Sequence, residues 1–260
     1  MSDTRRFYDD LADDYDLIYA DWEASVRGQG KLIESWLGSD GSGPLRILDV
    51  ACGMGTQAIG LALCGHQVVG RDLSPALIER ARAAAARFGA VLDLEVGDMR
   101  ELELEEACDA ASFDAVIAID NALPHLETDA DLERALGAAR AALRPGGRYF
   151  ATIRDYDRLI EERPAFDPPR ALGSGQDRRV VLQVWDWDGD GRGYTLDLLI
   201  LRRTTAGEWS VRSRTGRYRT LLRAELESVA ERAGLVASRW IEPAESGFYQ
   251  PLFEARRPLR

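Results

Sequence analysis

Residue types that usually mark metal sites or compartment are scarce in this 260-residue sequence. Cysteine occurs three times, at Cys52, Cys64 and Cys108, with no C-x-x-C pair and no disulfide framework. That usage fits a reducing compartment, and a cytoplasmic protein is expected. Histidine occurs twice, at His66 and His125, too few to build a zinc site, so no metal is expected. Lysine occurs once, at Lys31; nearly all of the positive charge is arginine. Lys and Arg together number 33 against 44 Asp and Glu, a net charge of -11. A surface of that sign repels phosphate backbones, which disfavours a nucleic-acid partner. No apolar run approaches the ~20 residues needed to span a bilayer. The polar, acidic N-terminus lacks the apolar core of a signal peptide, so no membrane association is expected.

Hydrophobic residues make up 45% of the chain, enough for one large domain or a domain with a sizeable insertion. Residues 1–40 read as a helical, aromatic-rich lid segment ending in a turn-forming stretch, 39–44. Short apolar runs at 46–51, 67–70, 92–96, 113–119 and 148–153 read as buried strands. Helical patterns at 57–64, 75–88 and 129–143 lie between them, with Ser74 as an N-cap. This alternation predicts an α/β fold, a doubly wound Rossmann-like parallel sheet covered by helices on both faces. The pattern then changes. Segments 178–187, 194–204 and 209–219 are strand-like with hairpin connections, and 222–233 returns to helix. The predicted organisation is a cofactor-binding domain of residues 41–155 and 220–260, interrupted by an antiparallel β insertion at 156–219.

A strand running into a glycine-rich turn and a helix, here Asp49-Val50-Ala51-Cys52-Gly53-Met54-Gly55-Thr56, marks a nucleotide-type cofactor site. Gly53 and Gly55 let the backbone approach a ligand closely. Asp72, 17 residues after Gly55, ends the next strand and can accept hydrogen bonds from both ribose hydroxyls. A nicotinamide dinucleotide and S-adenosylmethionine both use this layout. The loose G-x-G-x-x-A match at 53–58 is weak evidence for the former. A cofactor without phosphate but with an ammonium group is better served by the acid Asp49.

The ordered set resembles the class I S-adenosylmethionine-dependent methyltransferases. The loop at 49–56 is similar to their first motif, Gly97-Asp98-Met99 follows the third strand, and Leu143-Arg144-Pro145-Gly146-Gly147 precedes the fifth. The resemblance covers roughly residues 7–155. It implies S-adenosylmethionine as cofactor, with Asp98 reading the adenine amine and Met99 packing on the ring. Ala51, Leu73 and Ile119, flanking these motifs, complete the expected cofactor wall.

Two further segments, Asp120-Asn121-Ala122-Leu123-Pro124-His125-Leu126 and Ile153-Arg154-Asp155-Tyr156-Asp157, resemble the glycine and sarcosine N-methyltransferases. That family has a Gly-Asn-Ser-x-x-His-Leu loop and a His-Arg-Asn-Tyr-Asp segment. The resemblance implies that Arg154 holds a substrate carboxylate, that Asn121 and Tyr218 orient the acceptor, and that N-terminal aromatics (Tyr8, Tyr15, Trp22) close over the cofactor with Arg27 near its carboxylate. His125 is either a proton acceptor or a structural residue near the 129–143 helix. The chain departs from the pattern at Asp120, Ala122, Ile153 and Asp155, and Asp120 places a carboxylate beside the expected acceptor. The expected partner is a small molecule, by N-methylation of an amine or amino acid such as glycine or sarcosine. A larger natural-product acceptor methylated at oxygen or carbon, and a non-catalytic cofactor-binding protein, remain alternatives. A homo-oligomer is compatible with all three. Asp186-Trp187-Asp188-Gly189-Asp190-Gly191 imitates a calcium loop, but its strand-like flanks favour a hairpin turn.

Overall fold

The computed structural model describes residues 3–38, 43–102, 111–204 and 206–260. Residues 39–42 of the expected turn at 39–44, and Cys108, lie outside them. The chain opens with α1 (Asp3–Leu11), a 3-10 segment Ala12–Ile18 and α2 (Trp22–Leu37). It continues as β1 (Arg46–Asp49), α3 (Thr56–Leu63), β2 (Gln67–Asp72), α4 (Pro75–Phe88), β3 (Asp93–Val96), β4 (Phe113–Ala118), α5 (Asp129–Ala142) and β5 (Leu143–Thr152). After α6 (Tyr156–Glu162) come β6 (Phe166–Leu172), β7 (Arg179–Trp187), β8 (Gly193–Arg203) and β9 (Trp209–Arg219). The chain closes with α7 (Arg223–Arg232), β10 (Val236–Ile241), the short α8 (Pro243–Ser246) and β11 (Leu252–Arg256).

Seven strands form the main sheet in the order β10-β11-β5-β4-β1-β2-β3. The pairs from β3 to β5 are parallel, whereas β11 and β10 run antiparallel at the far edge. β4 shows why the central strands read as unbroken apolar runs. Ala115 and Ile117 enter the core on one face, and Val116 and Ala118 enter it on the other. Local signals set the helices. Ser74 Oγ accepts the Leu77 amide at 3.1 Å, Pro75 opens α4, and Gly89 closes it in the left-handed region. α2 packs against α3 through Gly30 and Gly60, where a Cβ on Gly30 would lie 2.3 Å from the Gly60 carbonyl carbon.

The second sheet is antiparallel, in the order β6-β7-β8-β9. β6 was not expected, because Pro168 and Pro169 argue against a strand. It forms at the sheet edge with a register shift between Asp167 and Arg170, where the missing amide donors cost no ladder bonds. The calcium-like segment is the β7–β8 hairpin turn. Asp188 is taken up by Arg217, and no cluster of metal-ligating residues occurs among the described residues.

Candidate functional site

The carboxyl ends of β1, β2 and β4 converge on one cavity of about 360 Å³. Ala51, Gly53, Asp72, Leu73, Asp98, Met99 and Ile119 line it, together with Tyr8, Tyr15 and His125. Gly55 is not in this wall but shapes it. Its φ of +89° is one that other residues rarely adopt, and a Cβ there would meet Ile59 Cδ1 at 2.8 Å. Asp72 is held by its own loop: Oδ2 accepts the Gly53 amide at 2.8 Å and Oδ1 the Ser74 amide at 2.9 Å. Burial still pushes its pKa up to about 6. Asp49 is 1% exposed. Its Oδ1 accepts the Ala51 amide at 3.2 Å, its Oδ2 has no partner, and burial pushes its pKa up to about 7. An orphaned buried carboxylate oxygen beneath a glycine-rich loop fits a ligand that carries a cation.

Besides Gly55, three expected cofactor contacts are absent from the cavity wall: Asp49, Arg27 and Trp22. Arg27 lies on the exposed face of α2 with its guanidinium 5.2 Å from the centre of the Phe88 ring, outside the cavity. Trp22 is buried behind the loop, where its indole N–H donates to Thr56 Oγ1 at 2.9 Å. The family resemblance set both at the cofactor, but the helical phase of α2 turns Arg27 outward and Trp22 into the core. Asp98 lines the cavity with both oxygens engaged by Arg100, which holds its carboxyl below the usual range despite partial burial.

A second, larger cavity of about 660 Å³ lies between the main sheet and the antiparallel sheet. Tyr8, Tyr15 and Asp120 line both cavities, so these three residues stand at the boundary between them. Arg154, Asn121 and Tyr218 lie in the larger lobe, and His125 faces the smaller one. The Asn121 amide is committed to the scaffold: Oδ1 accepts the Arg154 backbone N–H at 3.0 Å, and the group pairs with the Tyr156 hydroxyl. Asn121 therefore positions Arg154.

The Arg154 guanidinium donates to Gln183 Oε1 at 2.8 Å and to the Tyr194 hydroxyl at 3.3 Å, and lies 4.6 Å from the centre of the Trp185 ring. Every one of these partners is neutral. The adjacent acids Asp155 and Asp157 pair with Arg223 instead, and among the described residues Arg154 has no carboxylate partner. Cross-strand register builds the rest of this wall. Tyr194 sits opposite Tyr218, and their rings stack 5.4 Å apart at 9°.

His125 lies 4.2 Å from the Tyr218 ring, centre to centre, and its Nε2 is 2.8 Å from the Tyr8 hydroxyl. Burial pushes its pKa down to about 4, against an opposing interaction of the ring with the Arg217 backbone carbonyl. It is a neutral imidazole at neutral pH. The cap of α5 is Thr128, not His125.

The N-terminal segment is strapped to both halves. Ser74 Oγ donates to Asp9 Oδ1 at 2.5 Å on the main-sheet side. On the other side Arg179 donates to the Leu17 and Tyr19 carbonyls at 2.7 and 2.6 Å, and Arg212 binds both Asp14 oxygens at 2.8 Å. The sequence offered no signal for Tyr249, which precedes β11, or for Arg170 on β6, yet both line the larger cavity.

A family profile described as "Methyltransferase domain" matches residues 47–147. The chain is 32% identical over 157 residues to a glycine/sarcosine N-methyltransferase of Parasynechococcus marenigrum, covering 60% of this chain and 54% of that protein. It is 40% identical over 107 residues to a ubiquinone biosynthesis O-methyltransferase of Methylocella silvestris, covering 41% of this chain and 39% of that protein. The matched stretch thus spans about half or less of these curated relatives. Among solved structures, the amino pentose methyltransferase CalS10 from Micromonospora echinaspora superposes with a TM-score of 0.68 at 24% identity, covering 89% of this chain and 91% of that one. The strand order, the loop after β1 and the matched residues agree: the chain carries a methyltransferase domain of the class I S-adenosylmethionine-dependent kind.

Proposed function

We propose that this protein is an S-adenosylmethionine-dependent N-methyltransferase acting on a small-molecule amine that also bears an anionic or strongly polar group. The observation that carries the reading is the pair of adjoining cavities. One is lined by the cofactor loop, the other holds a half-buried guanidinium with no carboxylate partner among the described residues, and Tyr8, Tyr15 and Asp120 are common to both. The relatives support the acceptor class, since one is named for glycine and sarcosine and a structural neighbour is described as an amino pentose methyltransferase. The larger lobe, at about 660 Å³, falls within the roughly 300–1,000 Å³ typical of small-molecule sites. Glycine, with no side chain, would leave most of it empty, so the reading favours a bulkier amine.

The residues present fit the cofactor. Asp72 would take the ribose hydroxyls, Asp49 the ammonium, and Asp98 and Met99 the adenine. The bound cofactor supplies a methyl group already activated on sulfonium, so the protein's contribution is placement. Arg154 offers a planar fork suited to a carboxylate or other anion, and its neutral partners hold the fork without quenching its charge. Tyr8 and Tyr15 stand at the boundary of the two cavities, where acceptor and cofactor would meet, and the strapped N-terminal segment would cover it. Product analysis with a panel of amino acids, amino sugars, simple amines and phenols tests the reading. Methylated amine products support it. Methylation of phenols alone overturns it in favour of O-transfer, and tight S-adenosylhomocysteine binding without turnover of any acceptor favours a non-catalytic role.

A further inference from the structure

Asp120 occupies an unusual place. Its φ is +65°, and so is that of Asn121, two consecutive non-glycine residues in the left-handed region. Asp and Asn tolerate that region better than most residues, but it still carries a cost of order 1 kcal/mol each. The ends of β4 and β5 impose it. The Asp120 amide donates to Thr152 Oγ1 at 2.8 Å and the Asn121 amide to the Thr152 carbonyl at 3.0 Å. The bend puts Asp120 at the boundary the two cavities share.

The carboxylate there is poorly compensated. Among the described residues its one hydrogen-bond partner is the Tyr249 hydroxyl, and no guanidinium pairs with it. Burial raises its pKa, against the Tyr249 hydrogen bond and the more distant charges of Arg154 and Arg170. An under-compensated acid at a tyrosine-lined boundary suits a cationic nitrogen, because the tyrosine faces attract the same charge. Tyr249 is 64% exposed, and its hydroxyl donates to the half-buried Asp120 carboxylate.

We propose that Asp120 is the catalytic proton acceptor for the substrate amine, holding it as an ammonium at that boundary and taking one proton from nitrogen as the bond to carbon forms. The N–H bond breaks heterolytically, the proton goes to an Asp120 oxygen, and the nitrogen lone pair is freed. That pair forms the N–C bond with the sulfonium methyl, and the C–S pair returns to sulfur, leaving a neutral thioether. The proton leaves Asp120 through the Tyr249 hydroxyl to water. The inference rests on the N-methyltransferase reading and adds to it the group that makes the nitrogen nucleophilic.

The test compares wild type with Asp120→Asn and Asp120→Gly. Both replacements tolerate the left-handed backbone, so loss of fold does not obscure the result. In the S-adenosylhomocysteine complex, methylammonium chloride is the probe, read by saturation-transfer NMR. With each protein saturated with S-adenosylhomocysteine, wild type is expected to show the probe signal and both variants to lose it. On any amine the wild type methylates, both variants should lose at least ~100-fold in kcat, the usual scale of a general base. Probe signals equal in wild type and variants, no signal in wild type, or variant turnover within threefold of wild type would each overturn the proposal. Amine turnover that survives Asp120→Asn sinks this inference alone, whereas a wild type that methylates only phenols sinks the N-methyltransferase reading as well.

Discussion

The Tyr8 hydroxyl lies 2.8 Å from His125 Nε2, joining the N-terminal helix to the loop that follows β4. This bond closes the segment over the cofactor loop at the point where both cavities meet. With His125 pushed down to about 4, the imidazole is neutral and can accept the tyrosine proton.

Tyr8→Phe removes that bond and leaves a buried ring nitrogen unpaired. A loss of about 1–2 kcal/mol is expected, appearing as roughly 5- to 30-fold weaker binding of S-adenosylhomocysteine in calorimetry. Unchanged affinity would mean that the segment closes without this bond.

Arg154→Ala should raise KM for an anionic or polar acceptor at least ~10-fold while S-adenosylhomocysteine affinity holds, because Arg154 lines only the larger cavity. Arg154→Lys should restore little, since a point charge replaces a planar fork stacked on Trp185. Steady-state kinetics with the best acceptor checks both. An unchanged KM for Arg154→Ala removes the anion-clamp role.

Asp49 and Asp72 make the cofactor-free protein sensitive to pH. Their folded pKa values, about 7 and about 6, stand above the ordinary carboxylate value of 3.8. The folded state therefore holds more protons than the unfolded chain between about pH 4 and 7, and the stabilisation these groups contribute is lost as pH rises through that window. A cofactor ammonium at Asp49, as proposed, would favour its ionised form. Binding of S-adenosylhomocysteine near pH 6 should then release up to about one proton, measurable by calorimetry in buffers of different ionisation enthalpy. The release should vanish at about pH 9 and in Asp49→Asn.

Gly30→Ala would place a Cβ 2.3 Å from the Gly60 carbonyl carbon, where backbone meets backbone and no side chain can yield. α2 and α3 must separate, at a cost of about 1–3 kcal/mol. Thermal denaturation should show Tm lower by roughly 2–10 °C for a chain of this size. An unaltered Tm would show that the helices slide apart freely.

The main sheet was legible because its signals are local. The apolar runs of β1 and β4, the cap at Ser74, and the glycines and acids at the strand ends each act within a few residues. β6 was hidden because a sheet edge tolerates the two prolines that a central strand would not. Arg27 and Trp22 were misplaced because the family resemblance matches position along the chain and says nothing about which face of α2 a residue occupies.

The cofactor loop at 49–56 and the domain around it were determined by the sequence itself. Its chemistry is carried by residues adjacent in the chain, and backbone amides and glycine conformations there depend little on distant contacts. The acceptor side was decided only by tertiary structure. Arg154 is available because Arg223 captures Asp155 and Asp157, Asn121 acts as its support, and Tyr249 reaches Asp120 across 129 residues of chain. Which charges are neutralised and which stay free depends on partners from separate elements, and only packing brings those elements together.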